Sequence, residues 1–145
     1  MDKKGLSVED IQHLLSHGIP MSEGMGVIVD GLPEDGAVLR VPYSDSLVRP
    51  GGTISGPVMM ALADAAMYAA ILGRLGAVIM AVTANLNIHF LHRPGKSDLI
   101  ANAKILKLGK RLAVCEVALY SIGQPEMVAQ VSGSYSLPPE EGSGG

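Results

Sequence analysis

Over most of the second half of the chain, apolar and polar residues alternate. Val82, Ala84, Leu86, Ile88 and Phe90 interleave with Thr83, Asn85, Asn87 and His89. Leu99, Ala101, Ala103 and Ile105 interleave with Asn102 and Lys104. Ala113, Cys115, Val117 and Leu119 share one face, as do Met127, Ala129, Val131, Gly133 and Tyr135. A period of two is that of a strand with one face buried. Turn residues at 92–95, 108–110 and 121–125 separate four such strands. Strands joined in succession by short turns are expected to pair antiparallel. Upstream, 25–29 and 37–41 read as a hairpin about the turn Pro33-Glu34-Asp35-Gly36, followed by a turn-rich loop at 43–52.

Residues 57–72 break the alternation. They are Ala, Met, Leu and Val almost throughout, strong helix formers with no period of two. Gly56-Pro57 suits a helix start, and Gly73 is the predicted stop. A helix apolar nearly all round must be buried on most faces. A short amphipathic helix at 7–14 is capped by Ser7, with Asp10 three residues on, and is ended by Gly18 and Pro20. The predicted fold class is α+β, a curved antiparallel sheet wrapped around one central helix. The predicted organisation is an N-terminal helical segment (1–20), one domain (21–138) and a low-complexity, disordered tail (139–145).

Composition narrows the partners. In 145 residues, 48% are hydrophobic and 17% charged, which fits one domain with a sizeable core and some apolar surface covered by another subunit. A net charge of −3, scattered basic residues, one Phe and no Trp argue against a nucleic-acid partner. A single Cys excludes an internal disulfide and a cysteine-based zinc cluster, and His89 and His92 have no carboxylate at ligand spacing, so no metal site is predicted. Cys115 is read as a small packed hydrophobe. The opening residues lack the apolar core of a secretion signal, and the apolar run at 58–72 is short for a bilayer and carries a charge. The expectation is a soluble, cytoplasmic protein with no membrane partner.

That charge is Asp64, the only charged residue between Arg49 and Arg74. A carboxylate in apolar surroundings costs several kcal/mol unless partnered, and such positions are where general bases are found. Asp64 is either catalytic or a structural Asp satisfied by backbone or hydroxyl groups.

Four segments in order, GGTISGPVMMALADAA (51–66), VTANLNIHFL (82–91), DLIANAKILKLGKRLA (98–113) and VAQVSGSY (128–135), resemble the hotdog-fold acyl-CoA thioesterases. The branch they are most similar to is that of the small phenylacetate-pathway, PaaI-like enzymes of the 4HBT-type thioesterase superfamily. The resemblance spans about residues 24 to 137. It implies a hotdog fold, hydrolysis of an acyl-CoA with no cofactor beyond the coenzyme A of the substrate, and sites built at a homodimer interface, with dimers pairing into a homotetramer. Such enzymes carry His-Gly-Gly at the helix start, nine residues before the catalytic Asp or Glu. Here Ser55-Gly56-Pro57 occupies that place before Asp64, and Arg49 stands where many relatives have an Asn.

Asp64 would then activate water or act as the nucleophile, and the Gly56 amide at the helix N-terminus would donate to the oxyanion. The resemblance gives Thr83 the part of holding the water near the carboxylate; a β-former on a half-exposed strand is the other reading. Ser55 is an N-cap or a polar contact to substrate. Arg49 meets phosphate or carboxylate, or faces solvent. Lys107, Lys110 and Arg111, around the turn at Gly109, suit the phosphates of coenzyme A or are simply solvated. Pro57, where the signature's second Gly would stand, and Met60 are expected at the substrate. Met59, Met60 and Met67 line either the core or the acyl pocket.

Gly56 and Asp64 are eight residues apart, roughly 12 Å along a helix axis, so one helix cannot bring both to one carbonyl carbon. A second copy across a two-fold axis could. Two other readings stand beside the hydrolase. One is a non-catalytic acyl-CoA-binding protein. The other is a hotdog hydratase, disfavoured because the place of its His, five residues after Asp64, is Ala69.

Overall fold

A computed structural model describes residues 5–19 and 24–139. The elements are α1 (Val8–His17), β1 (Ile28–Gly31), β2 (Gly36–Val41), a single 3-10 turn (Asp45–Leu47), α2 (Gly56–Leu75), β3 (Val82–Phe90), β4 (Leu99–Leu108), β5 (Leu112–Ser121) and β6 (Met127–Ser136). The six strands form one antiparallel sheet in the order β1-β2-β4-β5-β6-β3, with α2 packed on it. This is the hotdog fold. Pro20 and the tail from Glu140 onward lie outside the described residues.

The capping box forms as the sequence indicates. Asp10 N–H donates to Ser7 Oγ (3.1 Å) and Ser7 N–H to Asp10 Oδ2 (3.3 Å). Gly18 N–H closes α1 on the Leu14 carbonyl. Ile11 and Leu15 enter the core, and the Gln12 amide bridges to the backbone of Val27, just before β1, and of Val29 on β1 (2.9 and 2.7 Å). The N-terminal helix is therefore tied to the domain.

Three expectations are corrected. The hairpin strands run Ile28–Gly31 and Gly36–Val41, because Gly26 adopts φ 70°, which ends any extended run before it. Helix α2 continues past Gly73 to Leu75 and is capped by Gly76, whose φ of 98° is open to glycine and whose N–H bonds Leu72 O (2.9 Å). Gly73 instead lets Leu32 pack closely on the last turns, and Arg74 ties to Asp35 on the hairpin (3.0 Å). Thirdly, β3 does not form a hairpin with β4. The segment 91–98 carries the chain across the sheet end: Leu91 and His92 N–H bond Val128 O, and Gly95 N–H bonds Ser121 Oγ. β3 thus becomes an edge strand beside β6, and its other edge has no partner among the described residues.

On β6 the sheet face toward α2 carries a glycine. At Gly133 a Cβ would meet Met67 Cε and Sδ at 2.9 Å and the Asn85 carbonyl at 2.8 Å. The methionine could move, but the strand carbonyl could not. Gly133→Ala is expected to destabilise the fold by about 1–3 kcal/mol in urea unfolding, an overpacking cost.

Most of α2 is buried, as an all-apolar helix requires; 61% of its most apolar stretch lies inside the fold. One stripe is not. Pro57 and Met60 are exposed, and Ala61 and Asp64 are half-buried. Asp64 is thus at the edge of the apolar environment, not in the middle of it.

Candidate active site

Asp64 sits in the middle of α2 with the end of β6 and the start of β3 opposite it. Two hydroxyls converge on one of its oxygens. Thr83 donates to Oδ1 at 2.8 Å, and Tyr135 donates to the same atom at 2.7 Å. The Tyr135 hydroxyl also reaches the Asp64 carbonyl at 3.2 Å. No described donor reaches Oδ2.

A backbone irregularity brings Thr83 there. Thr83 pairs with Tyr135, but Asn85 pairs with Ser134 and Leu86 with Gly133, so β3 carries one extra residue, Ala84. Such a bulge reverses the facing of residues beyond it. Strict alternation would put Thr83 on the polar face with Asn85, Asn87 and His89. With the bulge it faces the helix together with Leu86, Ile88 and Phe90.

The carboxylate opens on a cavity of about 480 Å³. Its wall is apolar: Ile19 from the end of the α1 segment, Ala61, Ala65 and Tyr68 from α2, and Ile79, Ala81 and Val82 from the connection into β3. Tyr68 lies one turn beyond Asp64, stacks on Tyr135 (centroids 5.9 Å apart, planes at 23°), and donates to Ile79 O at 2.8 Å, fixing that wall. Burial raises the pKa of both phenols; for Tyr135 the rise is larger, first because it is more deeply buried and then because the Asp64 charge lies beside it. Tyr135 therefore remains a donor at any ordinary pH. Tyr135 and Tyr68 were not foreseen from sequence. The available signal was a tyrosine on the inward face of β6, because a buried phenol hydroxyl requires a partner.

The other sequence candidates lie elsewhere. Ser55 caps α2, accepting from Val58 N–H at 3.4 Å. Gly56 lies at the far end of the exposed stripe, under the Phe90 ring, with its Cβ position 3.2 Å from Phe90 Cζ. Pro57 and Met60 are exposed and do not line the cavity beside Asp64, whereas Met59 and Met67 are core. Arg49 is exposed in the 49–53 turn, with Nη1 on the Pro50 carbonyl (3.1 Å). Lys107, Lys110 and Arg111 surround the β4–β5 turn, and Arg111 Nε donates to Leu137 O (2.9 Å). This turn is at the same sheet end as the carboxylate, since Ala113, Tyr135 and Thr83 form one row across β5, β6 and β3. Cys115 is buried, which pushes its thiol up to about 11. Among the described residues, no three His, Cys, Asp or Glu side chains are grouped to hold a metal ion.

A carboxylate on the central helix of a hotdog fold, beside an apolar cavity, has a counterpart in known sequences. Residues 51–128 match the thioesterase superfamily, and this span holds the helix start, Asp64 and Thr83. The chain belongs to the thioesterase superfamily. A solved structure from Silicibacter sp. TM1040, provisionally named a thioesterase, is 35% identical, with a TM-score of 0.83 over 94% of this chain and 95% of that one. The phenylacetic acid degradation protein PaaI of Thermus thermophilus, solved as a point mutant, is 27% identical, with a TM-score of 0.70 over 81% of this chain and 97% of its own. A Halobacterium salinarum protein provisionally named an esterase is 30% identical over 78% of this chain and 81% of its length. Superfamily membership makes this chain a relative of thioester hydrolases.

Proposed function

We propose that the protein hydrolyses an acyl-CoA thioester to the free acid and coenzyme A, with Asp64 as general base. The observation that carries this reading is the Asp64 carboxylate itself, held through Oδ1 by two hydroxyls with Oδ2 lacking a described donor, at the edge of an apolar cavity. A water bonded to Oδ2 would give up its proton as it attacks the thioester carbonyl. The tetrahedral oxyanion would accept from the Gly56 amide, and its collapse would expel the thiolate. The acyl chain would lie in the apolar cavity. Lys107 and Lys110, exposed at the same sheet end, would face the nucleotide phosphates. The reading assigns no metal or other cofactor.

The Gly56 amide would come from a second copy. β3 is a nine-residue strand with one edge unpaired among the described residues, and Val82 and Phe90 at its ends are 59% and 53% exposed. Met60 on the neighbouring stripe of α2 is 40% exposed. A long exposed edge with apolar residues favours pairing with another strand. Gly56 lies at the Phe90 end of β3 and Asp64 at the Thr83 end. Antiparallel self-pairing of β3 about a two-fold axis would set the Phe90 end of one chain against the Thr83 end of the other. That brings Gly56 of one protomer toward Asp64 of its partner, which supports a homodimer with two composite sites.

The test is thiol release from a panel of aromatic and short-to-medium aliphatic acyl-CoAs, comparing wild type with Asp64→Ala. Hydrolysis of at least one substrate by the wild type alone is expected. No hydrolysis of any substrate, or equal rates for both proteins, would overturn the assignment.

A further inference from the structure

We propose that Tyr135 is a positioning residue that fixes the Asp64 carboxylate for catalysis, holding Oδ1 so that Oδ2 is the oxygen presented to water. This rests on the reading of Asp64 as the base. Three observations carry it. The Tyr135 hydroxyl donates at 2.7 Å to the same oxygen that takes the Thr83 hydroxyl at 2.8 Å, so both donors load one side of the carboxylate. The phenol also reaches the Asp64 carbonyl, which ties the side chain to its own helix turn. The ring cannot drift, because it is 4% exposed and stacked on Tyr68, itself anchored to the Ile79 carbonyl.

A carboxylate with freedom about its terminal torsion would present either oxygen, in varied directions, to a water. Two hydroxyls on one oxygen select one orientation before substrate arrives, and preorganisation of this kind removes reorganisation from the chemical step. Tyr135 keeps its proton to donate and does not itself act as the base, because burial and the neighbouring Asp64 charge hold its phenol protonated. The titratable groups lining the cavity with Asp64 are Tyr68 on α2 and Tyr135 on β6; β3 contributes the neutral Thr83, and the α1 segment the apolar Ile19. Burial keeps the Tyr68 phenol protonated as well.

The test is Tyr135→Phe, which retains the ring and its stack and removes only the hydroxyl. The readouts are kcat and KM taken separately, and the ¹³C resonance of the Asp64 carboxyl in labelled protein at one fixed pH. Removing one of the two donors on Oδ1 frees the carboxylate to turn, so kcat should fall about tenfold with KM little changed, and the carboxyl resonance should shift and broaden. A second variant, with 3-fluorotyrosine at position 135, keeps the hydroxyl and should keep kcat within about threefold of wild type. A tyrosine that only fills space would lower the melting temperature in Tyr135→Phe and leave kcat and the carboxyl resonance at their wild-type values; that result overturns the proposal. The ¹³C measurement needs no substrate. Failure of Asp64 as the base would appear instead as full turnover by Asp64→Asn, so the two ideas fail separately.

Discussion

Asp64→Asn should lower kcat for thioester hydrolysis by about 10²- to 10⁴-fold, the range expected when a positioned general base is removed. Asparagine has nearly the same shape, and its carbonyl oxygen can still accept from Thr83 and Tyr135, the two hydroxyls now on Oδ1. The fold and the cavity wall should therefore survive, and binding of a non-hydrolysable acyl-CoA analogue, followed by calorimetry, should persist within a few-fold. The combination is diagnostic. An acyl-CoA-binding protein without activity would show no wild-type turnover to lose and unchanged binding in the variant. A wholly structural Asp64 would show a lower melting temperature and proportionate loss of both functions. What the neutral side chain cannot do is accept a proton from water, and only the hydrolase reading makes that the step that matters.

How much of this site could be read in advance is decided residue by residue. Asp64 stands out because a lone charge in an apolar helix is legible without coordinates. Its degree of burial is not, because that depends on which stripe of α2 the sheet leaves uncovered: Pro57, Met60, Ala61 and Asp64. The elements themselves follow from periodicity, and four of the predicted strands are β3 to β6. Their order does not, since alternation describes one strand's faces and says nothing of its neighbour. A connection of eight residues, 91–98, reaches across the sheet end as readily as it turns back. Thr83 illustrates the limit most sharply. Its place beside the carboxylate depends on one inserted residue, Ala84, and a strict period of two predicts the opposite face. Gly73 and Gly76 differ in the same way: both are glycines near the end of a helical run, and only the backbone angle of 98° distinguishes the cap.

Mixing two inactive variants should restore activity if the site is shared between chains. Gly56→Pro removes the amide hydrogen proposed to stabilise the oxyanion, at a position already followed by Pro57, and leaves Asp64 in place. Asp64→Asn removes the base and leaves the Gly56 amide. Each homodimer then has two defective sites. A heterodimer has one site with both changes and one with neither, because the Gly56 of the Asp64→Asn chain meets the Asp64 of the Gly56→Pro chain. Random exchange of equal amounts makes about half the dimers mixed, each with one intact site of two, so roughly a quarter of wild-type turnover should return. Activity should rise with the time allowed for subunit exchange and should not exceed that fraction. If Gly56 and Asp64 served the same chain's site, every site in every dimer would remain defective and the mixture would stay as inactive as its components. The recovery also answers the concern that Gly56→Pro fails to fold under the Phe90 ring, because an unfolded chain could not supply the base that the mixed dimer needs. The outcome follows from the spacing along α2. Eight residues place the two groups roughly 12 Å apart in one helix, and the proposed reversal of a partner's β3 against this one would close that gap.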